Sequence, residues 1–424
     1  MKAFHTITRP MPGRIPLKSI AMVEHKRPLL ANAGQRRCLV FSIFDDMEMM
    51  PDIDEDLEGY QIEAGAVFDS SSSQKVPVSY GNNSKAVYSI EEDAVVVDAS
   101  DWIRLRVSGP DAVSFLQGQL SADVQKLQPG CGREACLLTP QARVIDLVMV
   151  LRMETGCMII CSPDVEDTVK SHLERHIFMS DNVEVVDVSK STTMFRVMGP
   201  KSNDILYTLQ LDQDILGGKY GTHCVVGFDK KPLVVIKGSE LGYSGYTLIV
   251  DESAGAALWK TLVSGFGAIP MGTEAWNISR IVSGRPSIDS ELKESVTAFE
   301  AGLFHAVSLN KGCYVGQETL SKIYNLNAVK SELWGFISEK PCSPGDAIYK
   351  DVDGERIKVG KITSAADDVS KTPVQHRSLG FLKRLDKGHS SWNNESVFIG
   401  DGMIPGLVRS LPYLGTRESL AEDQ

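Results

Sequence analysis

From Val95 onward, apolar positions come in short runs rather than long helical stripes. Val95-Val-Val97 is continuous and Trp102-Ile-Arg-Leu-Arg-Val107 alternates with period two, so both predict strands. Arg104 and Arg106 fall on the face opposite Ile103, Leu105 and Val107. Gly109-Pro110 ends the second strand, and Asp111 stands where a helix cap belongs, ahead of Ala112-Val-Ser-Phe-Leu-Gln117. Strand-like runs recur at 143–151, 157–161, 195–198, 233–236 and 246–250. Helical patterns cover 164–176, 201–210, 253–264 and 273–283, the last starting at Thr273 and stopping before Gly284. After Asn327 the pattern shifts to short strand candidates at 333–337, 347–349, 358–362 and 378–381, separated by Pro, Gly and Asp turns. Such spacing predicts a small all-β barrel or sandwich behind an α/β body. No repeat of fixed period is present.

The length of 424 residues suggests two or three domains. The net charge of −11 hides an asymmetry. Residues 1–38 hold eight basic side chains and one acid, Glu24, a net +7 that leaves −18 for the rest. A basic, acid-poor start reads as an organelle transit peptide, although its only hydroxyl residues are Thr6, Thr8 and Ser19. Eight acids then crowd 45–58, the pattern of a solvated linker. An acidic total argues against general nucleic-acid binding, and no apolar run is long enough for a membrane span.

Eight cysteines in a chain this long do not make a disulfide framework, so reduced thiols are expected. Cys157 and Cys161 would share one strand face as core thiols. Gly130-Cys-Gly132 lacks the remainder of a dinucleotide loop, and no P-loop, His-Glu-x-x-His or Cys-x-x-Cys is present. One segment concentrates chemistry: Asn310-Lys-Gly-Cys-Tyr-Val-Gly-Gln-Glu-Thr319. Its glycines permit close backbone approach, Lys311 would favour a Cys313 thiolate, and Gln317 and Glu318 add hydrogen-bonding groups. Composition alone leaves open either a functional thiol or a polar loop with a small buried cysteine.

Lys311-Gly-Cys-Tyr-Val-Gly-Gln-Glu318 matches the K-G-C-[FY]-x-G-Q-E signature of the YgfZ-type folate-binding proteins, paralogues of the glycine-cleavage T-protein. Val97-Asp-Ala-Ser100, Gly109-Pro-Asp-Ala112, Leu138-Thr-Pro-Gln-Ala-Arg143-Val-Ile-Asp146 and Arg280-Ile-Val-Ser-Gly284-Arg-Pro resemble further elements of that family. The resemblance covers roughly residues 61–415, and with the basic head it looks most like the plastid branch of plants and algae. It implies an α+β, three-lobed folate-binding fold of the T-protein (GcvT-like) type with a C-terminal antiparallel β-barrel. The implied segments are a transit peptide at 1–38, an acidic disordered linker at 39–60, a folate-binding domain of two α/β lobes at 61–326, the barrel at 327–415 and a tail at 416–424.

The same resemblance implies that tetrahydrofolate is the cofactor and that the protein supports assembly or repair of 4Fe–4S clusters, with iron–sulfur client or assembly proteins as partners. Cys313, Lys311 and Asp146 are then the candidate catalytic residues. Asp146, Arg143, Tyr243, Tyr314, Gln317 and Glu318 are candidate folate contacts, and one of Arg104, Arg106 and Arg143 would meet the anionic folate tail. T-proteins carry two adjacent acids where this chain has Asp146 followed by Leu147, and a glutamate in a G-Y-T-G-E loop where this chain has Gly242-Tyr-Ser-Gly-Tyr246. Aminomethyl transfer to or from folate and a non-catalytic cluster-assembly scaffold are the alternatives. Asp146 as a turn-capping acid and Tyr243 as a loop-packing aromatic are equally open. The expected compartment is the chloroplast, with the mitochondrion as alternative, and neither nucleic acid nor membrane is an expected partner.

Overall fold

A computed structural model describes residues 56–69, 76–163, 165–209, 213–288, 290–384 and 391–411. The expected transit peptide, residues 39–55 of the expected linker and the tail at 416–424 lie outside the described residues. The first described helix, Leu57–Glu63, begins four residues ahead of the expected domain start at 61. Asp56 closes it, its side chain accepting from Gly59 N, and Gln61 is buried.

Two sheets form the body. The five-stranded sheet runs in the order Cys131–Leu138, Val144–Arg152, Cys157–Cys161, Ile103–Ser108, Glu184–Asp187, all antiparallel. The six-stranded sheet runs His223–Phe228, Lys231–Lys237, Gly245–Asp251, Thr192–Met198, Val95–Asp98, Ile269–Met271, with only the last pair parallel.

Side chains alternate between faces along a strand, and here both faces are covered. Val148, Val150 and Ile159 pack outward against helices Ala112–Gln119 and Glu166–Arg175. Met149, Leu151 and Ile160 turn inward and meet Met194, Val234, Ile236 and Ile249 of the other sheet. Phe195, Val197, Leu248 and Val250 face a third layer around Leu258 and Trp259. Strands buried on both sides read as near-continuous apolar runs, which explains why their positions, but not their faces, could be read from the chain. Cys157 and Cys161 both lie in the outward core, as expected. None of the seven described cysteines is in a disulfide.

The expected helices appear at Glu166–Arg175, Ser202–Thr208, Gly255–Lys260 and Thr273–Ser283, the last closed by Gly284 at φ 84°. Asp111 does not cap its helix through its side chain; the carboxylate accepts from Asn182 N at 3.0 Å instead. Helices Asn83–Glu92 and Gln317–Asn325 were not foreseen.

The C-terminal part is a closed antiparallel barrel ordered Ser331–Ser338, Gln375–Lys383, Glu355–Asp368, Ala347–Val352, Ser396–Ile399, Ile404–Arg409. The barrel docks on helix Thr273–Ser283 through Ile281, Leu333 and Leu379. Beside them Arg280 meets Glu291 at 3.0 Å, and Glu291 also accepts from Thr363 and Ser364 of the barrel at 2.6 Å each. No described helix is long and apolar enough to cross a membrane.

Candidate functional site

A cavity of about 170 Å³ opens where the end of strand Val95–Asp98, strand Thr192–Met198, helix Thr273–Ser283 and the segment after strand Cys157–Cys161 converge. Register places Arg196 opposite Val97. Its guanidinium is fully buried, 3.8 Å from the ring centre of Trp102 and 4.8 Å from that of Trp276. A buried guanidinium needs a carboxylate, and Glu240 supplies one, its Oε2 lying 3.0 Å from Nη2. Glu240 sits at φ 64°, a conformation that bulky residues avoid and that persists when surrounding contacts fix it. The same Glu240 oxygen meets Arg285 at 3.0 Å, and Arg285 also pairs with Glu134, which in turn holds His305 at 2.7 Å.

Acids occupy the other wall. Asp98 accepts from Gln61 at 2.7 Å and from Ser100 N at 3.0 Å. Asp101 is pushed up to about 7 by burial and by the neighbouring Asp98. Fixed cations, indole faces and a carboxyl group poised near neutrality in a small cavity have the makings of a ligand site.

None of the eight candidate residues lines this cavity. Asp146 comes nearest. It is fully buried, Oδ1 accepts from Leu147 N and Ser162 Oγ, and Oδ2 accepts from Ser162 N. Ser162 is a cavity wall, so Asp146 acts one residue behind it. Burial pushes Asp146 up to about 6, against the pull of those hydrogen bonds and of Arg285. Arg143 bonds Ser295 O at 2.6 Å and lies 3.6 Å from Glu300, on the far side of the turn. Tyr243 packs beside Leu241 and Trp276, and burial pushes its hydroxyl up to about 12. Arg104 spends its guanidinium on Ser100, Trp102, Ser189 and Thr192, and Arg106 is exposed, so neither serves the cavity.

The signature forms a separate place. Gly316, at φ 84°, starts helix Gln317–Asn325. A Cβ there would lie 2.8 Å from Thr139 O, so the loop is pressed against the 139–142 turn, and only glycine permits that approach. Gly312 has open space around it and is not constrained in this way. Lys311 does not assist the thiol. Its ammonium donates to the carbonyls of Gln117, Leu120 and Ala122 at 2.6–2.7 Å, the unpaired C-terminal carbonyls of helix Ala112–Gln119. Three donors meet three acceptors, and none is left for sulfur. Burial pushes this ammonium down to about 7, with Asp123 opposing.

Tyr314 is buried under that ammonium, Gln317 bonds Lys311 O at 3.4 Å, and Glu318 is an exposed partner of Lys322. These three hold the loop; they do not reach the cavity. Cys313 is exposed, and it is the exposed one of the seven described cysteines.

Arg196, Glu240, Trp102, Trp276 and Asp101 went unnoticed in the chain. The available signal was a lone arginine inside the apolar run Met194-Phe-Arg-Val-Met198.

The two-sheet body with its barrel defines a class, and comparison agrees: residues 57–311 match the model of the GCVT N-terminal domain, and the chain belongs to that family. A protein of Arabidopsis thaliana named "Putative transferase, chloroplastic" is 37% identical over 365 residues, covering 86% of this chain and 81% of the relative. The aminomethyltransferase of Chlorobium luteolum is 24% identical over 352 residues, covering 80% of this chain and 93% of the relative. The glycine cleavage system aminomethyltransferase T of Bartonella henselae superposes with a TM-score of 0.73 at 19% identity, covering 84% of this chain and 97% of that one. The expected GcvT-like α+β fold with a C-terminal antiparallel barrel is therefore present.

Proposed function

We propose that this chain binds a reduced folate at the central cavity and supports the assembly or repair of 4Fe–4S clusters in client enzymes through Cys313. The observation that carries the second half is the exposure of Cys313 on a loop pinned from both ends. A thiol that must meet a partner protein has to be accessible, whereas burial pushes Cys136, Cys157 and Cys161 well up. The folate half is supported by the family and by the residues present. A pterin needs a carboxylate for its amino and ring N–H groups and apolar walls to lie against; Asp101 and the indoles of Trp102 and Trp276 are suited to both. At about 170 Å³ the cavity is smaller than the ~300–1,000 Å³ that takes a whole drug-sized ligand, so it suits one end of a folate. Bound folate supplies a carrier for one-carbon units. This chain's part is to hold it and exclude water. The plastid is the proposed compartment, supported by the basic first 38 residues and by the name of the Arabidopsis relative. Cys313→Ser, expressed in a strain lacking the protein, should fail to restore 4Fe–4S enzyme activities; full rescue would remove the thiol from the mechanism.

Aminomethyl transfer has one observation in its favour: Asp146, lifted to about 6, is tuned as a base should be. Against it, both Asp146 oxygens already accept protein hydrogen bonds. Incubation with folate, an aminomethyl donor and ammonia tests it, because absence of methylene-tetrahydrofolate at high protein concentration ends that reading.

A further inference from the structure

Arg196 has a second, unused side. Nη2 faces Glu240, but Nε and Nη1 are buried and have no hydrogen-bond partner among the described residues. Leaving buried donors of a charged group unmet is costly. Fold assembly does not require this arrangement, because an apolar side chain between Trp102 and Trp276 would fill the same space without that cost. The two indoles hold the guanidinium in place, so its remaining edge is preset rather than floppy. Two parallel N–H donors in one plane match the two oxygens of a carboxylate.

We propose that Arg196 is a carboxylate anchor: the cavity takes a ligand whose carboxylate lies in the guanidinium plane and accepts from Nε and Nη1. Arg280 and Arg285 line the same cavity but are engaged with Glu291 and with Glu134 and Glu240, so they set the local field while Arg196 makes the contact. The shared Glu240 makes this anchor a positioned one, since the single carboxylate orients Arg196 and Arg285 together. Two sources carry this chemistry. One is the glutamyl tail of a folate, an arm that rests on the folate reading above. The other is a small free carboxylic acid, which does not depend on it.

The test uses the full chain, intrinsic tryptophan fluorescence and calorimetry, with tetrahydrofolate, 6-methyltetrahydropterin (which lacks the tail) and glycine as probes. Arg196→Lys keeps the charge and removes the fork, and its melting temperature is measured alongside. If the tail is the source, tetrahydrofolate binds at least about tenfold more tightly than the pterin, and Arg196→Lys abolishes that advantage. If a free acid is the source, glycine quenches the wild-type saturably and Arg196→Lys loses the response. Folate and pterin bound equally, with no glycine response, overturns the anchor and leaves folate binding standing. A glycine response that needs Arg196, with no folate binding, supports the anchor and ends the folate reading. No binding of any probe overturns both. Should Arg196→Lys not fold, the wild-type comparison of the three probes decides alone.

Discussion

The cavity and the cysteine loop are two solutions to holding a chemical group still. Around the cavity the work is done by side-chain charges: Arg196, Glu240, Arg285 and Glu134 form a continuous buried chain. At the loop it is done by backbone: Lys311 closes three helix carbonyls and Gly316 lies on the 139–142 turn. Buried charges give a site that is specific and vulnerable, because removing one partner strands the other. A backbone-anchored loop tolerates changes at its tip and leaves Cys313 open to solvent. The first arrangement suits retention of a small ligand, the second presentation of an atom to a large partner.

The sharpest way to break that contrast is Arg285→Ala. It leaves Glu240 and Glu134 each short of a cation in a buried setting. A loss of about 3–5 kcal/mol in denaturant unfolding is expected. A loss below ~1 kcal/mol would mean that water or rearrangement replaces the pairing and that the cavity is not built on charge.

Gly316→Ala attacks the other region. Its positive φ and the 2.8 Å approach to Thr139 O should cost about 2–3 kcal/mol. The loop should loosen, raising the alkylation rate of Cys313 while tryptophan fluorescence from the cavity stays as in the wild type. Coupled changes in both signals would show that the two regions move as one.

How much of this was legible in the chain follows from the same physics. Runs such as Val95–Asp98 announce themselves because β-branched residues fill both faces of a buried strand. The barrel strands Ser396–Ile399 and Ile404–Arg409 did not, being short and broken by Gly and Pro. Lys311 was misjudged because its partners lie about 190 residues away, at the end of a helix whose orphan carbonyls no local pattern advertises. Arg196 looked like a solvent-side position in a strand. Its partner Glu240 and both indoles come from other elements, so only the assembled fold reveals it.

Asp101→Asn probes the cavity more gently. Asp101 sits near 7 in the folded chain against ~3.9 in an unfolded one, so between those values the native state holds a proton that the unfolded state has released. Its contribution to stability is therefore greatest below about pH 4 and is lost as pH rises through 7. The amide cannot ionise. At pH 8 the variant should be more stable than wild type by about 1–2 kcal/mol, and at pH 4 the two should coincide. A gap that does not change with pH would show that Asp101 is not the group carrying this cost.

Cys313→Ser should have the smallest effect on stability, below ~0.5 kcal/mol, because an exposed thiol contributes little packing. That smallness is what makes the variant informative. Lys311, Tyr314 and Gly316 keep their contacts when sulfur becomes oxygen, so the loop stays closed on the 139–142 turn. Tetrahydrofolate affinity, read by calorimetry, should then match the wild type. If affinity falls with sulfur alone, the thiol reaches the ligand, and retention and presentation belong to a single site whose parts close on one another. If it holds while cluster-enzyme rescue is lost, the cavity and the cysteine serve two different molecules.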